Sequence, residues 1–194
     1  MLRSRDLALI AMFTGVIAAL GLIPAVAPFG GAVPITAQSM GVMLAGAILG
    51  SKRGALAVLL FLALVAIGLP LLSGGRGGLG VFAGPSVGYL VGFPVAAWLV
   101  GRLTEVLGRP YRVVLGTLAN VLGGVLVLNA IGIVGMALVA DLSLAKATAV
   151  AAVFIPGDLV KAVLTAVVAA GVHAAYPGLI PARRDRAVSP RVHA

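Results

Sequence analysis

Long apolar segments, separated by short clusters of glycine, proline and charged residues, dominate the pattern of this sequence. Several of them approach the ~20 residues that an α-helix needs to cross a bilayer. Breaking the chain at the glycine, proline and charged positions predicts six helices, near residues 6–23, 36–50, 54–70, 85–107, 112–139 and 150–176. The second is short, because fifteen residues cover only ~22 Å of a hydrocarbon core that is ~30 Å thick. It must therefore tilt, lengthen at its entry or thin the bilayer locally.

The composition supports a membrane protein. Of the 194 residues, 61% are hydrophobic and 10% are charged, and the mean hydropathy is +1.19. Soluble domains carry roughly 25% charged residues, so we expect an all-α integral membrane protein. The net charge of +9 does not indicate nucleic-acid binding, because the basic residues form short clusters between apolar segments. With no cysteine and only two histidines, neither a disulfide framework nor a metal site is expected.

The distribution of basic residues predicts the orientation of the six helices. With the N-terminus in the cytoplasm, the inner segments hold eleven basic residues, whereas the outer loops hold only Arg76 and Lys146. Cytoplasmic loops are enriched in lysine and arginine, so we expect both termini to be cytoplasmic. We expect one membrane domain, residues 1–181, followed by a basic tail, residues 182–194, that anchors the topology at the lipid headgroups. The first segment resembles a signal peptide, but its length and the spans that follow favour an uncleaved helix.

Two charged residues lie within the otherwise apolar start of the last predicted helix. Asp158 and Lys161 are three residues apart, so they share one helix face and can form an ion pair directed into the protein. An ionisable side chain at membrane depth costs roughly 2.5–3.5 kcal/mol on insertion scales. Because buried ion pairs often add no net stability, we favour a binding site over a purely structural pair. Pro156 and Gly157 are expected to loosen the helix just before the pair.

A glycine-rich segment between predicted helices three and four is the second candidate. Seven glycines lie between residues 74 and 88, and Arg76 lies among them. The guanidinium could bind a carboxylate through two parallel hydrogen bonds. A structureless loop of this length is usually functional or disordered. It is either a flexible exterior connector or, in our preferred interpretation, a lid over a substrate. Gln38, at the outer end of the second helix, could bind the same ligand or cap a helix.

Residues 84–88 match the G-x-S-x-G pattern of serine hydrolases, with Ser86 as the nucleophile. That function requires a strand-turn-helix context and a nearby histidine. Pro85 disturbs the turn, and His173 is predicted near the opposite side of the bilayer. Small residues every four positions along the fourth helix are instead typical of close helix packing. No G-x-x-x-x-G-K-[ST] loop is present, so ATP binding by this chain is not expected.

The first predicted helix also carries small residues every four positions, at Ala11, Gly15 and Ala19. Such a smooth face suits either internal packing or docking of a partner helix. Asn120 and Asn129 in the fifth helix are expected to form hydrogen bonds between helices.

Several short motifs follow one another in a specific order. They are PITAQ at residues 34–38, LAGAILG at 44–50, GLP at 68–70, GGRGG at 74–78, GPSVGY at 84–89 with GF at 92–93, and FIPGDLVK at 154–161. In this order and spacing the sequence resembles the BioY family over about residues 7–176. These proteins are the biotin-specific substrate-binding (S) components of energy-coupling factor (ECF) transporters.

The resemblance implies a six-helix protein, neither an enzyme nor a holder of a cofactor, that captures biotin from outside the bacterial inner membrane. It implies uptake with a transmembrane coupling protein and two cytoplasmic ATPases, which bind the ATP. Some family members act without these partners, so a stand-alone oligomeric biotin transporter is the alternative, and an intramembrane serine hydrolase is a distant one. The implied substrate-binding residues are Asp158, Lys161, Arg76, Gln38, Tyr89 and Ser86, and the implied docking face for the coupling protein is Ala11, Gly15 and Ala19.

Biotin has a ureido group, an apolar thioether ring and chain, and a carboxylate. Asp158 could accept a hydrogen bond from a ureido N–H, while Lys161 could donate to the ureido oxygen or to the carboxylate. Tyr89 or Phe82 could cover the apolar ring. Whether Arg76 contacts the ureido group, the carboxylate or only the lid stays open at this point.

Overall fold

The computed structural model describes residues 3–24 and 36–180, and within these ranges the regular structure is helical apart from one isolated bridge between Leu72 and Arg76. The predicted tail, residues 182–194, and the first two residues of the PITAQ motif lie outside the described ranges. Within the described ranges, four helices are long and apolar enough to cross a membrane, and one more is apolar but shorter. The chain thus has the all-α architecture of an integral membrane protein. In order, the helices are α1 (Ser4–Gly21), α2 (Gln38–Leu49), α3 (Ser51–Ala66), α4 (Val87–Leu107), α5 (Val113–Val139), α6 (Leu144–Ala152) and α7 (Ile155–Ala175).

Five of the six predicted helices coincide with α1 to α5, and the largest shifts are at α3. Helix α3 begins earlier than predicted because a single residue, Gly50, makes the corner after α2 with a φ of 83°. The carboxylate of Glu105, from α4, accepts hydrogen bonds from Ser51 N at 2.7 Å and from Ser51 Oγ at 2.9 Å. This negative charge stabilises the positive end of the α3 dipole. Helices α2 and α3 therefore form a tight hairpin.

The sixth predicted helix begins at the wrong residue. In place of one helix over 150–176, the chain forms α6, a short turn and α7. Pro156 explains the break, because a proline inside a helix lacks the N–H and its ring clashes with the carbonyl four residues earlier. Pro156 lies in the first turn of α7, where proline is tolerated, and so it starts the helix rather than loosening it. Lys146, predicted to lie in an outer loop, belongs to α6, whose N-terminus is capped by the Ser143 side chain.

Helix α4 lies at the centre of the bundle and packs against α2, α3 and α5, while α1 packs on α3 and α7 packs on α2 and α5. The approach of α4 to α5 requires glycine, since a Cβ at Gly88 would lie 2.6 Å from the Ile131 carbonyl oxygen. The predicted close packing of α4 is confirmed at this position. Asn120 makes the predicted bond between helices, donating from Nδ2 to the Ala162 carbonyl at 2.9 Å. A π-helical segment, Val121–Val127, follows in α5.

Basic side chains collect at the end of the bundle where α1 and α5 begin. Arg53 of α3 joins three segments there. It bonds Asp6 of α1 at 3.2 Å, the Leu49 carbonyl at 2.9 Å, and the Leu179 carbonyl that follows α7. Between α4 and α5, burial raises the pKa of the Tyr111 phenol to about 12, so this group stays neutral at physiological pH. The side chains predicted to bind a substrate lie at the opposite end.

Candidate substrate-binding site

Helices α2, α4 and α7 begin around one cavity at the end of the bundle opposite Arg53. The cavity contains about 600 Å³ of empty space, including its open mouth. Three helix N-termini carry their positive dipole ends to this region and favour an anionic group. All six residues predicted to bind substrate belong to the wall, which is formed by Thr36, Gln38, Ser39, Leu72, Arg76, Ser86, Tyr89, Leu90, Phe93, Leu128, Phe154, Asp158 and Lys161.

Asp158 and Lys161 form an ion pair at the start of α7. They lie in its first two turns rather than ~12–17 Å along a longer helix, because α7 begins only at Ile155. Lys161 Nζ is 3.0 Å from Asp158 Oδ1, and the side chains are 15% and 8% exposed. The ammonium group also donates to the Thr36 carbonyl at 2.8 Å and to Ser39 Oγ at 3.1 Å. All three Lys161 donors are therefore used by the protein, and the pair ties α7 to the start of α2.

Asn129 of α5 extends this network towards the aromatic wall. Its Nδ2 donates to the Val125 carbonyl at 2.9 Å and to Asp158 Oδ2 at 3.4 Å, while its Oδ1 accepts from the Tyr89 hydroxyl at 3.2 Å. The Tyr89 ring meets the Phe154 ring edge-on, with centroids 6.0 Å apart. Among the described residues, Asp158 Oδ2 receives only the long bond from Asn129. This oxygen therefore retains the capacity to accept a hydrogen bond from a ligand.

Arg76 is carried by a compact turn. Leu72 and Arg76 exchange backbone hydrogen bonds of 3.0 and 3.2 Å, and the two glycines of the turn have φ values of 79° and 70°, which glycine adopts without strain. Arg76 Nε donates to the Ser73 carbonyl at 3.2 Å, which orients the exposed guanidinium. Its terminal nitrogens have no hydrogen-bond partner within the described ranges, so they are available to an anion. The expectation of a structureless loop is wrong, since Leu79–Ala83 also forms a 3₁₀-helix, while the lid function stays a prediction.

Gln38 lines the same cavity, but its side-chain amide is engaged by the protein. Nε2 donates to the Leu71 carbonyl at 3.0 Å and to the Ile17 carbonyl at 3.4 Å, and Oε1 accepts from Ser73 N at 3.1 Å. The residue is only 2% exposed. Gln38 therefore joins the end of α1 to the turn that carries Arg76, and both of its amide hydrogens are used.

Ser86 immediately precedes α4 and is buried in the cavity wall. His173, which is the histidine of the described ranges, lies fifteen residues beyond Asp158 on α7, or about 22 Å further along the helix axis. There its Nε2 is 2.9 Å from the Ala47 carbonyl oxygen. The described residues therefore do not bring Ser86 and a histidine base together, as the hydrolase alternative requires.

Seven residues of the wall are not among the predicted substrate-binding residues: Thr36, Ser39, Leu72, Leu90, Phe93, Leu128 and Phe154. The position of Ser39 directly after Gln38 is a signal for that residue, and Phe154 belongs to the FIPGDLVK motif. Phe82, which sequence reasoning offers as a cover for an apolar ring, is not part of the wall. Neutral and aromatic residues of this kind are common in membrane helices, so only their tertiary neighbours identify them.

The wall offers three kinds of contact to one ligand. The Arg76 guanidinium and the helix N-termini favour a carboxylate. Asp158 Oδ2 accepts from an N–H donor, and the leucine and aromatic side chains surround an apolar middle. A molecule with an anionic end, an apolar body and an N–H-bearing head therefore matches the cavity.

The small-residue stripe of α1 faces outward. Ala11, Gly15 and Ala19 are exposed, and a Cβ added at Gly15 would meet no atom within 4 Å. Packing within the described residues therefore does not explain this stripe. Docking of a partner helix stays a prediction.

Comparison with known proteins identifies similar sequences and a similar solved structure. The model of the BioY family matches residues 1–178. A Rhodobacter capsulatus protein named biotin transporter BioY is 50% identical over 188 residues, covering 92% of this chain and 98% of the relative. A Rhizobium etli protein of the same name is 50% identical over 185 residues, covering 93% and 98%. The crystal structure at 2.1 Å of the S-component for biotin from an ECF-type ABC transporter has a TM-score of 0.83 and 32% identity, covering 90% of this chain and 95% of that one.

Proposed function

The chain belongs to the BioY family, and on that basis we propose that it captures biotin and takes it up across the bacterial inner membrane as the S component of an ECF transporter. Its relatives are named transporters, not enzymes. The observation that carries the proposal is that one cavity brings together Asp158, Lys161, Arg76, Gln38, Tyr89 and Ser86.

The proposed topology has six membrane crossings, by α1 to α5 and α7, with both termini in the cytoplasm. The cluster around Arg53 then lies on the cytoplasmic side, as the positive-inside rule requires. The cavity opens to the outside. The short helix α6 connects α5 to α7 on the outer side without crossing. Residues 1–181 form the membrane domain, and residues 182–194 form a cytoplasmic basic tail.

The bonding capacity of each side chain suggests how biotin lies in the cavity. All three Lys161 donors have partners among the described residues, and Asp158 Oδ2 has unused acceptor capacity there. Asp158 therefore accepts from a ureido N–H, and Lys161 holds the Asp158 side chain in place. Arg76 receives the carboxylate. Tyr89 covers the bicyclic ring, and Ser86 supplies a polar contact at the start of α4.

The proposed partners are a transmembrane coupling protein and a pair of cytoplasmic ATPases. The coupling protein docks on the exposed stripe of Ala11, Gly15 and Ala19, where small residues allow a second helix to approach closely. A homo-oligomer that transports biotin alone is the alternative. Labelled-biotin uptake by cells that lack a coupling protein and its ATPases separates the two: uptake there supports the oligomer, and its absence supports the ECF complex.

Biotin titration of the purified protein by calorimetry tests the central proposal. The protein is titrated with biotin and with biotin methyl ester, whose carboxylate is blocked. We expect saturable binding of biotin and weaker binding of the ester. Arg76→Ala should weaken biotin binding about tenfold, because it removes a hydrogen bond to a charged group, and should leave ester binding unchanged. Arg112→Ala, at the other end of the bundle, is the control that should leave both affinities unchanged. No heat of binding with biotin would contradict the proposed function.

A further inference from the structure

Gln38, the first residue of α2, contacts both α1 and the segment that carries Arg76. Its Nε2 reaches the Ile17 carbonyl in α1 and the Leu71 carbonyl before the Arg76 turn, and its Oε1 receives Ser73 N within that turn. With Arg76 Nε bonded to the Ser73 carbonyl, the same residue, Ser73, is held on one side by Gln38 and on the other by Arg76. The position of the guanidinium over the cavity therefore depends on the Gln38 amide.

The end of α1 packs tightly against the Gln38 side chain and the Leu71 carbonyl. A Cβ added at Gly21, the last residue of α1, would lie 2.4 Å from the Leu71 carbonyl oxygen and 2.8 Å from Gln38 Nε2. The end of α1 therefore lies so close to the Leu71 carbonyl and the Gln38 amide that no side chain fits at Gly21. Gly15, in the same helix, has open space at the equivalent point.

We propose that Gln38 is a positioning residue that holds the Arg76 turn over the cavity, rather than a direct ligand of the substrate. The proposal rests on the proposed function, in which Arg76 receives the biotin carboxylate. Its two amide hydrogens and its oxygen already have protein partners, so a ligand bond would require breaking one of the contacts that hold the turn. Removing the amide frees the turn and weakens only the contact that Arg76 makes.

Loss of a positioning residue and loss of a direct ligand should have different effects on biotin and on its methyl ester. If Gln38 acts through Arg76, its loss matters for biotin but not for biotin methyl ester, which lacks the anionic group. Its loss also adds nothing once Arg76 is absent, because residues that act in series are not additive. A direct contact to the ureido group would instead weaken both ligands and add to the effect of Arg76→Ala.

The test measures affinity and dissociation rate for biotin and its methyl ester in four proteins: the wild type, Gln38→Met, Arg76→Ala and the double variant. We expect Gln38→Met to weaken biotin binding about tenfold, chiefly by faster dissociation, and to leave the ester unchanged. The double variant should bind biotin as weakly as Arg76→Ala alone. Equal losses for both ligands, or additive losses in the double variant, would overturn the proposal. Failure of the wild type to bind biotin would instead refute the proposed function.

Two controls separate positioning from general stability. Asn120→Leu removes another buried amide, bonded to the Ala162 carbonyl away from the cavity, and should lower the melting temperature without changing the preference for biotin over the ester. Gly21→Ala perturbs the junction while leaving Gln38 intact, and should reproduce the selective loss, whereas Gly15→Ala should not. The comparison of Gly21→Ala with Gly15→Ala tests the positioning role even if Gln38→Met fails to fold. The same preference for biotin over the ester in both variants would contradict the proposal.

Discussion

Replacing both members of the Asp158–Lys161 pair should separate what the pair does for stability from what it does for binding. The single variants Asp158→Asn and Lys161→Met each leave one buried charge without its partner. The double variant removes both charges and keeps side chains of similar size. We expect the double variant to be more stable than Lys161→Met and yet unable to recover biotin binding.

The expected loss of stability follows from the burial of the Asp158–Lys161 pair. With side chains 8% and 15% exposed and a contact of 3.0 Å, breaking the pair from one side should cost about 3–5 kcal/mol of stability, whereas replacing a whole pair is often neutral. The double variant should therefore recover most of the loss. Binding should not recover, because an amide at position 158 is a weaker acceptor for a ureido N–H. Losing a hydrogen bond to a charged group is worth about 1.5–3 kcal/mol, or roughly 10- to 150-fold in Kd.

Thermal unfolding in one detergent and calorimetric titration with biotin supply the two measurements. The pair between Asp6 and Arg53 provides a matched control at the other end of the bundle, where both side chains are 22% exposed. Asp6→Asn should lower the melting temperature slightly and leave the biotin affinity unchanged. A double variant that binds biotin like the wild type would refute the binding role of the pair. A double variant as unstable as Lys161→Met would refute the reasoning about compensating charges.

Three further predictions concern other parts of the bundle. Gly88→Ala should destabilise the protein by about 1–3 kcal/mol, because the added Cβ forces α4 away from α5, and the melting temperature should fall relative to Gly171→Ala, whose Cβ meets no atom within 4 Å. Glu105→Gln removes a negative charge from the N-terminus of α3 and should cost on the order of 1 kcal/mol; thermal unfolding should register the loss while calorimetry finds the same biotin affinity. Gly15→Leu should abolish co-purification with the coupling protein and leave biotin affinity unchanged, and an intact complex would argue against docking on this stripe.

The helices are predictable because hydrophobic segments and their breaks are local properties of the sequence. The failure at the sixth helix has an equally local cause. A continuous apolar pattern hides the boundary between α6 and α7, whereas Pro156 alone marks it. The ring of a proline clashes with the carbonyl four residues earlier, so Pro156 must lie near the start of a helix. This steric rule places the start of α7 correctly, whereas hydropathy does not. The same rule places Asp158 in the first turn, where the helix dipole stabilises a carboxylate.

The site is predictable only where chemistry is unusual for a membrane helix. A carboxylate and an ammonium three residues apart stand out in an apolar segment, and so does an arginine among glycines. Ser39 does not stand out, because its importance arises from Asp158, which is 119 residues away in sequence. Gln38 stands out as polar, but residue type alone does not distinguish a ligand from a side chain that holds a turn. That distinction depends on three backbone partners in two separate segments.

The charged groups at the α7 end of the cavity are held by bonds within the protein. Lys161 is fully bonded by Thr36, Ser39 and Asp158, so the buried cation needs no ligand to satisfy it. Lys161 holds Asp158 Oδ1 at 3.0 Å, and among the described residues Oδ2 receives only the 3.4 Å bond from Asn129. Binding at this end therefore requires little rearrangement of side chains, which lowers the entropic cost of binding. The turn that carries Arg76 is held to the end of α1 and to α2 by the Gln38 amide and by Ser73 Oγ, which donates to the Ile23 carbonyl at 3.5 Å. Loss of Gln38 should therefore loosen the carboxylate end of the site and leave the Asp158 end in place.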